Sequence, residues 1–314
     1  MAYQDFLESY ARLKNTTVEH IHEMGKTQGN IRYVLSNRTR GAAYLPLLNK
    51  IYSRPIDGLS VLDLGCAYGG VCIELAKAGA KTTGIDVIPS YVSLARENAK
   101  GDADTVFFIG DFTSKKTLEM FGNRKFDVFI VNHVLEHIYD TVSLLQNIAA
   151  LATDDAVIVF DFPNGQSITS VRAEGHTGYF AASLVPPDCW YMFKPERSRI
   201  YYRKWEYFTS LFERFGFGTI VRAVPNPPAD RSGTLLAFIS ELNTKRRAVV
   251  DEQMAIVDEV VTQYIHEIHH DLVNATADEL DAKYFSYFWR GVAAKRDDLV
   301  PHQARLRFTE VDWD

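Results

Sequence analysis

The sequence predicts an α/β protein built on a doubly wound sheet, and three observations predict it. Residues 61–70 read VLDLGCAYGG, a hydrophobic run that ends in an acid and enters a glycine-rich turn. An amphipathic stretch, VCIELAKAGA, follows at 71–80, and a second apolar run, TTGIDV, ends in Asp86. Further short apolar runs then recur at 106–109, 126–131 and 156–160. The order strand, glycine turn, helix, strand, acid is the nucleotide-binding layout of such a sheet. Glycines at 65, 69 and 70 let the backbone pass close to a ligand, where a Cβ would clash. An acid at the position of Asp86 can accept hydrogen bonds from both hydroxyls of a ribose.

Composition sets the outer bounds. The chain has 314 residues, enough for one α/β domain with additions. Charged residues are 24% and apolar ones 46%, a globular balance rather than a disordered one. No run approaches eighteen uninterrupted apolar residues, so no membrane span is expected. The start, MAYQDFLESY, lacks the basic region of a signal peptide. Three cysteines without paired spacing fit a reducing compartment, and a cytoplasmic location is expected. A net charge of −6 argues against a nucleic-acid partner, because phosphate neutralisation needs clustered Lys and Arg.

The turn itself narrows the ligand. A dinucleotide fingerprint reads G-x-G-x-x-G, whereas this turn reads Gly65-Cys66-Ala67-Tyr68-Gly69-Gly70. The second and third glycines miss the places that a pyrophosphate needs, although NAD stays open on these residues alone. Asp63, two residues before the first glycine, can receive the ammonium of an amino acid. A nucleoside that carries an amino acid is S-adenosylmethionine. Here the chain resembles the class I SAM-dependent methyltransferases, whose first motif is D/E-x-G-x-G-x-G, with Ala67 standing at the middle glycine. The resemblance implies a Rossmann-like sheet of seven strands, S-adenosyl-L-methionine as methyl donor and S-adenosyl-L-homocysteine as product. It places Asp63, Gly65, Cys66, Ala67, Gly69, Asp86 and Val87 around the cofactor.

The remaining elements extend the resemblance in order. VFFIGDFTS at 106–114 is a short strand leading to Asp111; in the family an acid here pairs with the adenine amino group, and Phe112 supplies an amide to the ring. FDVFIVNHVLEHIYD at 126–140 resembles the fourth strand and its loop, with Asn132 and His133 at the strand end. The LEH-I-x-D tail resembles ubiquinone-pathway O-methyltransferases. AVIVFDFPN at 156–164 reads as the fifth strand. The match covers residues 57–165 well and the rest loosely.

Outside that span the pattern is helical. Residues 1–56 read as a helical cover with breaks near 25–30 and at Pro46. There Arg40, or its neighbour Arg38, is a candidate to hold a methionine carboxylate, since a guanidinium matches a carboxylate with two parallel bonds; a solvated helix face is the plain alternative. Residues 57–242 form the catalytic domain. Within it 202–217 reads as a helix closed by Gly216, and GTIVRAV (218–224) and TLLAFISEL (234–242) read as the last two strands. In the family this pair is antiparallel and sets the seventh strand inside the sheet. Residues 243–314 read as a helical extension. Met254, Val257, Val261, Tyr264 and Ile268 form an apolar stripe, and a second helix is expected over 277–296. The pair packs on the domain or offers a face for a homodimer.

Methyl transfer is an in-line displacement that needs alignment and removal of a proton. Ligands bind at the carboxyl ends of parallel strands. His133, at the end of the fourth strand, is the first candidate base. His137, four residues on, reads as structural or pocket-lining, and no third residue suggests a metal. Residues 163–205 are the expected substrate lid: ten aromatics fall between 179 and 208, against 12% in the chain. Tyr179, Trp190, Arg199 and Tyr202 are its candidate substrate contacts, and local basic residues suit a carboxylate or phosphate. His176, flanked by Gly175 and Gly178, is the second candidate base. HEIHH at 266–270 reads as a solvated helix rather than a zinc site. The expectation is therefore a methyltransferase acting on a small molecule. Oxygen is the preferred acceptor by resemblance. N- or C-methylation, a nucleotide-linked sugar, RNA modification and a non-catalytic SAM-binding partner are the alternatives.

Overall fold

The computed structural model describes residues 2–101, 104–192, 200–223, 226–247 and 255–299. Five helices come first: α1 (Ala2–Leu13), α2 (Val18–Thr27), α3 (Gly29–Leu35), α4 (Asn37–Ala42) and α5 (Tyr44–Tyr52). Phe6, Leu7, Tyr10 and Ala11 share the buried face of α1 and pack on Tyr68 and Leu94. Thr17 caps α2 by accepting the amide of His20. The expected break falls at Gln28, which is extended. Pro46 lies inside the first turn of α5, where a missing amide leaves no hydrogen bond unmade.

Strands and helices then alternate: β1 (Ser60–Leu64), α6 (Gly70–Lys77), β2 (Lys81–Asp86), α7 (Pro89–Ala99), β3 (Thr105–Ile109), α8 (Lys115–Phe121), β4 (Phe126–Asn132), α9 (Thr141–Leu151) and β5 (Ala152–Pro163). After them come α10 (Ile168–Arg172), α11 (Trp205–Arg214), β6 (Thr219–Arg222), α12 (Arg231–Arg247), α13 (Ala255–Asn274), α14 (Ala277–Leu280) and β7 (Phe288–Ala294). The sheet order is β3-β2-β1-β4-β5-β7-β6. The first five strands are parallel, and β7 runs antiparallel to both β5 and β6. This seven-stranded order, with an antiparallel strand set inside the sheet, is the one that the resemblance implied. Strand order reverses beside β1, which opens a crevice at the carboxyl edge between β1 and β4.

Both faces of the central strands are covered, which explains why they read as unbroken apolar runs. Leu62, Phe129, Val131 and Phe160 face α9 and α11 with Leu144, Ile148 and Phe212. Val128, Ile130 and Val159 face α5 and α6 with Leu48, Ile51 and Leu75.

Two sequence expectations are corrected here. TLLAFISEL is not the last strand but lies inside α12. Leu235, Phe238, Ile239 and Leu242 are buried at helical spacing while Leu236 is 50% exposed. The expected helix over 277–296 is helical only at its start, turns through a π-type turn at Asp281–Phe285, and becomes β7. The seventh strand thus enters the sheet from a segment expected to be an appendage. A short apolar run does not distinguish a buried strand from a buried helix by periodicity alone. Gly291 marks the strand in retrospect. A Cβ there would lie 2.4 Å from the Val221 carbonyl oxygen and 2.5 Å from the Phe160 ring.

The apolar stripe of α13 is real from Val257 to Ile268, while Met254 lies outside the described residues. It packs against α12 and against Ile168, Val171, Ala181 and Val185. Of the two readings offered for this stripe, it packs within the chain, in part against residues 168–185. No helix among the described residues is long and apolar enough to cross a membrane.

Candidate active site

The glycine turn joins β1 to α6, and its conformation follows from its residues. Gly65 and Gly69 have φ of +71° and +75°, a region glycine enters without steric cost. Ala67, between them, is also left-handed at +44°. Asp86 clamps the turn. One carboxylate oxygen accepts the Ala67 amide at 3.0 Å, and the other accepts the Ile88 amide at 2.9 Å, at the start of α7. Burial pushes the Asp86 carboxyl up, against the bonds from those amides. Asp63 is 3% exposed, and burial followed by the charge of Asp86 pushes its carboxyl up to about 8. The Cys72 thiol and the charge of Arg40 oppose that shift. The Arg40 charge thus offsets the burial of this carboxyl only in part, and the ammonium of an amino acid would add further positive charge. Cys66 is buried and its thiol pushed well up by the same burial, so it lines the turn as a small apolar group.

Asn98 fastens the helical cover to this turn. Its amide donates to Asn37 Oδ1 at 2.9 Å and to the Tyr68 carbonyl at 2.7 Å. Arg38 bonds the Asn98 side chain at 3.0 Å and so serves the cover. Arg40 is 7% exposed, donates to the Tyr33 carbonyl at 2.9 Å and stacks over the Tyr33 ring at 3.2 Å. It also lies close enough to Asp63 and Tyr44 to act on their charge. Val87 is 60% exposed beside Asp86. Asp111 is exposed and accepts the amide and hydroxyl of Thr113 at 2.9 and 2.7 Å. The Phe112 ring is buried and its carbonyl accepts from Asn147 at 2.6 Å.

Beyond Asn132 the chain turns sharply. His133 has φ of +53°, rare for a residue with a Cβ, and its amide donates to the Asp161 carbonyl at 2.7 Å. Its ring meets Phe288 edge-on at 5.0 Å, and its Nδ1 lies 3.5 Å from Glu136 Oε1. Burial works to lower the His133 pKa, but the Glu136 bond and the charges of Asp161 and Glu136 leave it raised. Asp161 in turn accepts from Arg290 at 2.7 Å.

Residues 174–177 and Tyr202 supply a second cluster. Glu174 is 1% exposed. It accepts the amides of His176 and Thr177 at 2.9 and 2.7 Å, the Thr177 hydroxyl at 2.8 Å, His176 Nδ1 at 2.8 Å and the Tyr202 hydroxyl. The His176 and His137 rings meet edge-on at 5.3 Å, so the structure brings together residues that lie 39 positions apart. Trp190 is buried with Ala182 and Ile200, and Tyr202 packs against them. Tyr179 is 53% exposed. Arg199 lies outside the described residues. A cleft of about 260 Å³ opens beside Tyr202, lined also by Gly165, Ser183, Tyr264 and Glu267. His266 and His270 sit on the exposed face of α13, as expected.

Sequence reasoning missed Glu136, Asp161, Glu174, Phe288 and Arg290. Glu136 was visible inside LEH, in the turn after β4, and Asp161 inside VFDF, near the end of β5. Phe288 and Arg290 were hidden by the misplaced seventh strand.

Comparisons with known proteins identify the family. The family described as "Methyltransferase domain" matches residues 36–221. A ubiquinone biosynthesis O-methyltransferase from Actinobacillus pleuropneumoniae is 36% identical over 111 residues, 34% of this chain and 47% of that protein. One from Rhodopseudomonas palustris is 29% identical over 184 residues, 56% of this chain and 66% of the relative. The chain thus spans about half the length of the Actinobacillus relative. A SAM-dependent methyltransferase structure from Mesorhizobium loti aligns at 18% identity and a TM-score of 0.47, covering 80% of this chain and 97% of that one.

Proposed function

Because the chain belongs to the methyltransferase-domain family, we propose that it transfers a methyl group from S-adenosylmethionine to a hydroxyl oxygen of a small molecule. The observation that carries the cofactor assignment is the Asp86 clamp beside the buried, high-pKa Asp63. It prepares one carboxylate for a ribose and another for an ammonium. With Asp63 and Asp86 holding it, a bound sulfonium would supply an activated methyl group for in-line displacement by the acceptor oxygen. His133 takes the acceptor's proton. The left-handed backbone of this residue, fixed by the Asp161 carbonyl, supports that role, since such strain concentrates at functional sites. Tyr202, His137 and His176 wall the acceptor side. Oxygen is preferred because the relatives named above are O-methyltransferases.

The test is calorimetric titration with S-adenosylhomocysteine, followed by homocysteine release with panels of phenols, amines and sugar nucleotides. Asp86→Ala is expected to weaken S-adenosylhomocysteine binding at least tenfold, and turnover is expected on phenols first. Wild-type protein that binds no S-adenosylhomocysteine overturns the cofactor. Turnover confined to amines overturns the acceptor atom.

A further inference from the structure

Glu136, His137 and His176 place one carboxylate oxygen and two imidazole nitrogens within 4.8 Å of one another. The first two come from the turn Leu135–His137 after β4, and the third from the lid. Three features mark this as more than a chance meeting. Glu136 is 3% exposed, and its Oε2 has no hydrogen-bond partner. An ionised oxygen buried without a partner costs stability, which a bound cation would relieve. Second, Glu174 accepts from His176 Nδ1 at 2.8 Å. That bond fixes the proton on Nδ1 and leaves the lone pair on Nε2, the arrangement by which carboxylates orient metal-binding histidines. Third, the His137 and His176 side chains remain 41% and 32% exposed, so an ion has a path in from solvent.

We propose that Glu136, His137 and His176 bind one divalent cation on the acceptor side of the site, with Glu174 orienting His176. Two imidazoles and one carboxylate suit Zn²⁺ or another borderline ion better than Ca²⁺ or Mg²⁺, which take oxygen sets. Ligand atoms about 2.0–2.2 Å from such an ion sit roughly 3.4 Å apart. His137 Nε2 now lies 3.9 Å from Glu136 Oε1, so a small inward movement closes the set. The sequence offered no third ligand near His133 and His137; the lid brings one.

The experiment uses the full chain stripped with a chelator and then dialysed, titrated with ZnCl₂ by calorimetry and with CoCl₂ by visible absorption. The expected result is one ion per chain with a Zn²⁺ Kd below about 10 µM. His176→Ala and His137→Ala are each expected to weaken binding at least tenfold. Glu174→Gln is expected to weaken it by about 10- to 100-fold, as for other residues that orient a ligand. His270→Ala, on the exposed face of α13, is the control and should bind as wild type. Should His137→Ala fail to fold, His176→Ala, whose side chain is 32% exposed, still decides. Wild-type protein that binds neither ion, or histidine variants that bind as wild type, overturns the site. An S-adenosylhomocysteine titration of the same stripped sample separates this outcome from failure of the methyltransferase reading.

Discussion

Glu174→Gln tests whether the lid is held by one buried charge. The substitution keeps the shape of the side chain but turns one acceptor into a donor that faces the Thr177 amide. Burial alone would push the Glu174 carboxyl up; the bonds from His176, Tyr202 and Thr177 outweigh it and hold it at about 2, against the ordinary 4.5. That gap corresponds to at most ~3 kcal/mol of stability at neutral pH. The sign follows from linkage. A carboxylate with a depressed folded pKa contributes stability above its unfolded pKa, and loses it as pH falls through the folded one. Of that contribution, about 1 kcal/mol is gone at pH 4 and about 2 kcal/mol at pH 3. Glutamine does not titrate, so the wild-type advantage over the variant should shrink by those amounts. Urea unfolding of both proteins at pH 7, 4 and 3, read as a difference, cancels the other carboxylates. A difference that stays constant from pH 7 to pH 3 would refute the reasoning.

Three further outcomes are expected. Ala67→Gly should stabilise the chain by roughly 0.5–1 kcal/mol, since relief of a left-handed alanine exceeds the added backbone entropy of glycine; a lowered melting temperature contradicts it. Asp63→Asn should raise the stability of the ligand-free protein at pH 7.5 by at least about 1 kcal/mol while weakening S-adenosylhomocysteine binding. The carboxyl is raised, so its stabilising neutral form is lost as pH rises, and a variant less stable at that pH argues against this assignment. With an accepted substrate, kcat should rise with pH through an inflection above the ordinary histidine range, because His133 is raised. His133→Asn should remove that inflection and lower kcat by about 100-fold; an inflection that persists places proton removal elsewhere.

The parts of the site legible in the sequence are those that a single strand–turn–strand unit builds. Asp63, Gly65, Gly69 and Asp86 lie within 24 positions of each other, and the turn that joins them has one stable geometry. Local sequence therefore carries the cofactor half. The acceptor half has no such unit. Glu136 and His176 meet because α10 and the lid fold back over the end of β4. Phe288 and Arg290 arrive on a strand separated from β6 by residues 223–287. Its run FWRGVAA is too short and too apolar to declare its class.

The misreading of TLLAFISEL has the same physical cause. Its burial is set by α13 and the lid rather than by a sheet, and the discriminating fact is the exposed Leu236 between two buried neighbours on one helical face. The insertion between β6 and β7 does two things at once. It delivers the last strand to the sheet interior, and it builds from α12 and α13 the apolar surface on which the lid rests. Stability of the lid and closure of the sheet are therefore coupled through one segment. A change that loosens α13 should disturb His176 before it disturbs the Asp86 clamp, because the clamp is anchored on the far side of β1 by Asn98 and the N-terminal cover.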